Sequence, residues 1–249
     1  MASSDGIAGN VALITGAASG IGAATAVHFA RLGARLSLTD QNQKGLQETV
    51  NKCTDVLQDR AKLPIAGIGI QGDRTRFADM QLYDKIMAVN LRSVISITKL
   101  CIPHLLASQG CIVNIGSVSG VRPFPEVAFY GTSKAALNHF TKILAADLAP
   151  KKVRINIINP GYTRTPIFEH GNYSKADVHA LIDVLGPKLN LIGRLAEPEE
   201  IAGVIAFLCS SQAEFITGAA LTVDGGNTLV SSTHLAKELV KQMKSNAKL

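Results

Sequence analysis

Tyr130 and Lys134 lie four residues apart in a helix-length segment, Tyr130 to Leu148, so their side chains share one helical face. A lysine ammonium beside a phenol favours the phenolate and lowers a pKa that starts near roughly 10. Such a tyrosine can give or take the proton exchanged between a carbonyl and its alcohol. Alone, the pair is usually a solvated surface pair, and its weight comes from a second feature upstream. Gly16, Gly20 and Gly22, in Thr15-Gly16-Ala17-Ala18-Ser19-Gly20-Ile21-Gly22, follow a strand and open a helix. A pyrophosphate needs this arrangement: a tight turn, a bare backbone it can approach, and a helix N-terminus to receive its charge. Asp40 ends the second strand, 18 residues beyond Gly22. A carboxylate there accepts a hydrogen bond from an adenosine ribose 2′-hydroxyl and repels a 2′-phosphate. Ser19 and Gln41 offer no cation to a 2′-phosphate, so the residues favour NAD(H) over NADP(H). The plainer reading of Asp40 is a solvated residue at a helix start.

The elements that position these residues follow from hydrophobic patterning. Apolar runs predict strands at Val11–Ile14, Arg35–Thr39, Cys111–Ile115, Val153–Ile158 and Ala220–Val223. Helices are predicted over Ile21–Leu32, Lys44–Cys53, Tyr83–Ala107, Tyr130–Leu148 and Pro198–Ser210. Near-continuous apolar strands separated by helices predict an α/β fold, a doubly wound parallel sheet covered on both faces.

The 249 residues suffice for one domain with a sizeable core. An apolar fraction of 47% against 18% charged is a globular composition and excludes disorder as the main state. Uninterrupted apolar runs are only a handful of residues long, so no transmembrane helix and no membrane partner are expected. The start, Met1 to Asp5, has no secretory pattern. Cys53, Cys101, Cys111 and Cys209 lie far apart without metal spacing and read as buried, reduced thiols of an intracellular, cytoplasmic protein. Half of the net charge of +6 falls in residues 230–249, and no basic cluster is interleaved with aromatics, so no nucleic-acid partner is expected.

Taken together, the chain resembles the short-chain dehydrogenase/reductase family over most of its length. The matching pieces are Thr15 to Gly22, Asn90 in Val89-Asn90-Leu91, Ser117 in Asn114-Ile115-Gly116-Ser117, and Tyr130 with Lys134. Further matches are Asn159-Pro160-Gly161 with Thr163 and Thr165, Gly193-Arg194, Glu197 to Glu200, Gly218, and Asp224-Gly225-Gly226. The resemblance implies a Rossmann-type domain over 1–229 and a catalytic tetrad of Asn90, Ser117, Tyr130 and Lys134. In it Tyr130 is the general acid/base, and Lys134 lowers its pKa and holds the nicotinamide ribose. Ser117 bonds the substrate oxygen, and Asn90 holds a water linking Lys134 to solvent. It also implies a dinucleotide held by Thr15, Gly16, Ser19, Gly20, Ile21, Gly22, Asp40, Ala66, Gly67, Asn90, Tyr130, Lys134, Pro160, Gly161, Thr163 and Thr165. Family members usually assemble as tetramers through their long helices, here Tyr83–Ala107 and Tyr130–Leu148, so a homotetramer or homodimer is expected.

One block departs from the family. Between the second helix and Asn90 the family places a third strand, a helix and a fourth strand ending in Asn-Asn-Ala-Gly. Here Ala66-Gly67 stands at that place, preceded by Lys62-Leu63-Pro64-Ile65, and some twenty-odd residues of the pattern are missing. The third strand is an edge, and its loss leaves the second strand as an edge. The fourth is central, and Leu63–Gly67 is its only candidate, although Pro64 cannot donate to a ladder. Right-handed crossover then requires a helix on the opposite face. The expectation is either that Lys44–Cys53 takes the missing helix's place or that this region is poorly ordered.

Thr165–Asn190 falls where the family has its substrate lid. Its apolar residues and lack of arginine suit an apolar or mixed carbonyl substrate rather than a di-acid. The tail 230–249 ends in Ala247-Lys248-Leu249, similar to a peroxisomal address. The sequence thus points to an NAD(H)-dependent oxidoreductase acting on a small-molecule secondary alcohol or ketone, of the 3-oxoacyl or steroid-like kind. Its rival is a cofactor-binding or scaffold protein, catalytically impaired by the shortened block.

Overall fold

The computed structural model describes residues 6–56, 80–166 and 188–229. Its first unit is β1 (Val11–Thr15), α1 (Gly20–Arg31), β2 (Arg35–Thr39) and α2 (Gln43–Val56). β1 and β2 pair in parallel, Val11 with Arg35 through Thr15 with Thr39. Then come α3 (Met80–Met87), a π-helical turn at Ala88–Arg92, and α4 (Ser93–Ser108). β3 (Cys111–Ile115), α5 (Ala128–Leu148), β4 (Arg154–Pro160), α6 (Pro198–Cys209) and β5 (Ala220–Val223) complete the order. β4 is the middle strand of a parallel sheet β3-β4-β5.

Helices cover the sheet on both faces. Ile158, Val113 and Ile115 join α1 and α6 in one core, with Phe29, Ala30, Ile201 and Leu208. Ile155 and Ile112 face the other way, against Ala145 and Leu148 of α5 and Ile102 and Leu105 of α4. Successive strand residues alternate between faces, so β4, covered on both, is apolar except where Arg154, Asn156 and Asn159 spend their polar groups in hydrogen bonds. β1 is different. Ala12 and Ile14 pack into the α1 core, while Val11 and Leu13 on its other face are 64% and 47% exposed. Among the described residues β2 has no ladder partner but β1.

Local chemistry explains the element ends. α6 begins at Pro198 behind a capping box: Glu197 accepts the Glu200 N–H, and the Glu200 carboxylate accepts the Glu197 N–H at 2.8 Å. α4 stops at Gln109, which takes the left-handed conformation (φ 52°). β4 runs two residues past its predicted end, because Asn159 and Pro160 pair with Thr222 and Val223.

Three expectations change. Lys44–Cys53 does not take the missing helix's place on the opposite face. It lies within α2, whose Leu46 and Cys53 bury into the same core as α1, because that is where its apolar face finds partners. The turn at Ala88–Arg92 joins α3 and α4 into one helix, Met80–Ser108, of 29 residues, which by length and composition could cross a membrane. Isolated polar residues interrupt its apolar runs without making the helix polar, so short runs do not exclude a helix of this kind. Of the four free cysteines only Cys53 is buried; Cys101, Cys111 and Cys209 are half-buried. Leu63–Gly67 and the tail lie outside the described residues.

Candidate active site

The turn after β1 is built by its glycines. Gly16 has φ 67°, a conformation that L side chains rarely adopt. A Cβ on Gly22 would sit 2.1 Å from the Gly16 carbonyl oxygen, so only glycine lets α1 start this close to the turn. Ser19 caps α1 in extended geometry without a side-chain hydrogen bond. The first amides of α1 therefore have no side-chain acceptor from their cap, and the positive end of the helix faces the turn. The Asp40 carboxylate accepts the Ala18 N–H at 3.0 Å and the Asn42 N–H at 2.9 Å, which fixes it beside the same turn. These residues fit a dinucleotide: a bare loop for the pyrophosphate and an anchored carboxylate for the ribose.

The chain after β4 returns to this turn. The Gly161 N–H donates to the Val223 carbonyl at 2.9 Å. Thr163 bridges to Ala196, and the Thr165 side chain lies against Gly20, 3.0 Å from where a Cβ would be. Pro160 to Thr165 thus spans from the sheet end to the glycine turn, with Thr15 and Ile21 at the turn's two flanks.

Ser117, Tyr130 and Lys134 converge at the C-terminal end of β3. Lys134 Nζ donates to the Ile115 carbonyl at 2.9 Å. It stands 5.6 Å from the centre of the Tyr130 ring. Ser117 Oγ accepts the Ser119 N–H at 3.1 Å and hydrogen-bonds the Tyr130 phenol. With that amide on its lone pair, the Ser117 proton is free to point at the phenolic oxygen. Asn90 sits in the π-helical turn, a distortion common at functional sites. Its Nδ2 donates to Ser133 Oγ at 3.1 Å, and Ser133 Oγ donates to the Tyr130 carbonyl at 2.7 Å. Asn90 therefore meets α5 one residue short of Lys134.

The electrostatics correct one expectation. Burial holds the Tyr130 phenol above its ordinary pKa, and the Ser117 hydrogen bond only partly offsets it. Burial also pulls Lys134 down to about 8. Lysine alone does not turn Tyr130 into a phenolate, because both groups are withdrawn from water and the ammonium is committed to the Ile115 carbonyl.

Sequence reading missed an amide pair behind the tetrad. Asn159 Oδ1 accepts the Ser117 N–H at 3.0 Å and Asn138 Nδ2 at 3.1 Å, and Asn159 Nδ2 donates to Asn138 Oδ1 at 2.9 Å. Asn138 Nδ2 also donates to the Lys134 carbonyl at 3.0 Å. A Cβ on Gly116 would fall 2.0 Å from Asn159 Oδ1, which is why glycine precedes Ser117. The signal was present: Asn138 follows Lys134 by one helical turn on the Tyr130 face. Ala66, Gly67 and lid residues 167–187 lie outside the described residues.

The family model described as "short chain dehydrogenase" matches residues 10–64, and "Enoyl-(Acyl carrier protein) reductase" matches 63–228. A 3beta-hydroxysteroid dehydrogenase of Eggerthella lenta is 31% identical over 258 positions, covering 90% of this chain and 96% of the relative. That alignment is longer than the chain itself, so it closes only with gaps in this chain. The solved L-sorbose reductase of Gluconobacter frateurii, complexed with NADPH and L-sorbose, superposes with a TM-score of 0.80 at 25% identity, covering 92% of this chain and 100% of that one. The 3-ketoacyl-(acyl-carrier-protein) reductase of Brucella melitensis, complexed with NADH, gives 0.72 at 31%, covering 89% and 99%. The chain belongs to the short-chain dehydrogenase/reductase family, whose doubly wound Rossmann-type fold it has. It is accordingly an NAD(P)-dependent oxidoreductase.

Proposed function

We propose that the protein interconverts a secondary alcohol and a ketone, with NAD(H) as the preferred dinucleotide and Tyr130 as general acid/base. The observation that carries this reading is the Tyr130 phenol, hydrogen-bonded by Ser117 and flanked by a lysine pinned to the end of β3. The nicotinamide, when bound, supplies or accepts the hydride. Tyr130 gives its phenolic proton to the carbonyl oxygen in reduction and takes it back in oxidation. Ser117 donates to that same oxygen as charge develops on it. Lys134 holds the nicotinamide ribose, and its charge eases the departure of the Tyr130 proton. Asn90, on the far side of Ser133, holds the water through which Lys134 exchanges protons with solvent.

The glycine turn and Pro160–Thr165 hold the rest of the dinucleotide. Asp40 supports NAD(H) over NADP(H), since a 2′-phosphate would meet a fixed carboxylate and no cation at Ser19 or Gln41. The apolar composition of the lid supports an apolar carbonyl substrate, of the 3-oxoacyl or steroid-like kind.

Tyr130→Phe tests the assignment. Turnover of a ketone panel should fall at least about a hundredfold, while an NADH fluorescence titration stays saturable and tighter than one with NADPH. Undiminished turnover removes Tyr130 from the chemistry. Equal or tighter NADPH binding removes Asp40 from selectivity.

A further inference from the structure

Cys111 opens β3 and Cys209 ends α6. Ninety-odd residues apart in sequence, they are brought together in the fold by Arg154, and each thiol is the other's foremost electrostatic neighbour. Both residues are half-buried. Arg154 of β4 is the register partner of Cys111, so their side chains stand together on the α6 face of the sheet. Its guanidinium donates to the Leu208 carbonyl at 2.8 Å and to the Ser210 and Ile216 carbonyls at 3.4 Å. Leu208 and Ser210 flank Cys209, so one cation sits beside both sulfurs and fixes the chain that carries the second.

The other two cysteines lack this setting. Cys53 is pushed up to about 11 by burial, and Cys101 is also raised by burial. The Cys111 thiol is instead lowered, because the neighbouring Cys209 thiol and the Arg154 charge together outweigh its burial. A thiolate with an adjacent thiol and a cation is the arrangement of a redox-reactive cysteine with its resolving partner. Its place is the N-terminal end of β3, while Ser117 lies past the C-terminal end, a strand length away.

We propose that Cys111 and Cys209 form a peroxide-reactive dithiol, a modification site separate from the oxidoreductase site and independent of the function proposed above. The Cys111 thiolate attacks one oxygen of a hydroperoxide. The O–O bond breaks, Cys111 becomes a sulfenic acid, and the other oxygen leaves as an alcohol, or as water from hydrogen peroxide. Cys209 then attacks the sulfenic sulfur. The S–S bond forms, and the sulfenic hydroxyl leaves as water with the Cys209 proton. Two thiols are oxidised by two electrons to one disulfide, one peroxide is reduced, and a thiol reductant restores the pair.

The test is peroxide titration of the reduced, full-length protein, read by intact mass and non-reducing peptide mapping. The expected product has lost two hydrogens and contains one Cys111–Cys209 peptide, reversible with dithiothreitol, while Cys53 and Cys101 remain alkylatable. At neutral pH, iodoacetamide should label Cys111 about tenfold faster than Cys101. In Cys209→Ser, dimedone should trap Cys111 as its sulfenic acid with no disulfide formed. If that variant does not fold, the wild-type peptide map alone decides. Cys111 as alkylatable after peroxide as before, or disulfides scattered over all four cysteines, overturns the proposal.

Discussion

Ser117 is held from two sides: its hydroxyl by the Ser119 amide and its own N–H by Asn159. Removing Asn138 leaves the buried Asn159 amide half-paired. Asn138→Ala should therefore cost about 1–3 kcal/mol in urea unfolding, the range for a stranded buried polar group. Asn138→Ala as stable as wild type would show that the amide pair carries no stability. Lys134 makes a pH-dependent contribution of known sign. Its folded pKa, about 8, lies below the unfolded value of 10.5. Below pH 8 both states carry the charge, and the native state bears its full burial penalty. Between 8 and 10.5 only the unfolded state stays protonated, so native stability rises with pH. Relative to Lys134→Met, the wild type should gain up to about 3 kcal/mol between pH 7 and 10. Parallel stability curves for the two proteins would contradict the shift.

At the scale of elements, α6 shows how a local sequence signal becomes structure. The Glu200 carboxylate accepts both Arg194 guanidinium N–H groups at 2.7 Å and caps the helix start. These bonds hold its pKa down to about 2. A depressed carboxyl stabilises the fold above its ordinary range and loses that contribution as pH falls toward 2. Glu200→Gln should flatten acid unfolding over this window and cost about 0.5–1 kcal/mol at neutral pH, the pair being surface-exposed. β3 and β5 follow their apolar runs residue for residue, and Pro198 with Glu197 and Glu200 marks the α6 start. Ser117, Tyr130 and Lys134 were legible as a site because they sit at element ends with fixed spacing. Asn138 showed its helical spacing from Lys134, but its pairing with Asn159 was not legible, since a hydrogen bond between β4 and α5 leaves no periodic trace in either. The Cys111–Cys209 contact was hidden for the same reason. The π-helical turn at Asn90 adds one residue to a single turn and leaves the apolar pattern around it intact.

For the whole molecule, the outward surface is uneven. Leu100 on α4 is 73% exposed, Ile143 on α5 58%, and Phe215 before β5 fully so. Apolar side chains on two neighbouring helices and beside the last strand suit contact with further copies of the chain. Light scattering should give a dimer or tetramer, and Leu100→Lys should shift it toward smaller species; a monomeric wild type would refute this. A different consequence follows from the junction of β3, β4 and α5. Gly116 leaves no room for a methyl group while Asn159 is present, and Asn159 cannot shrink without stranding both Asn138 and the Ser117 amide. The three positions are therefore epistatic: their double-mutant energies should not add. A change at one of them is felt at the other two, so this corner of the protein answers substitution as a single unit.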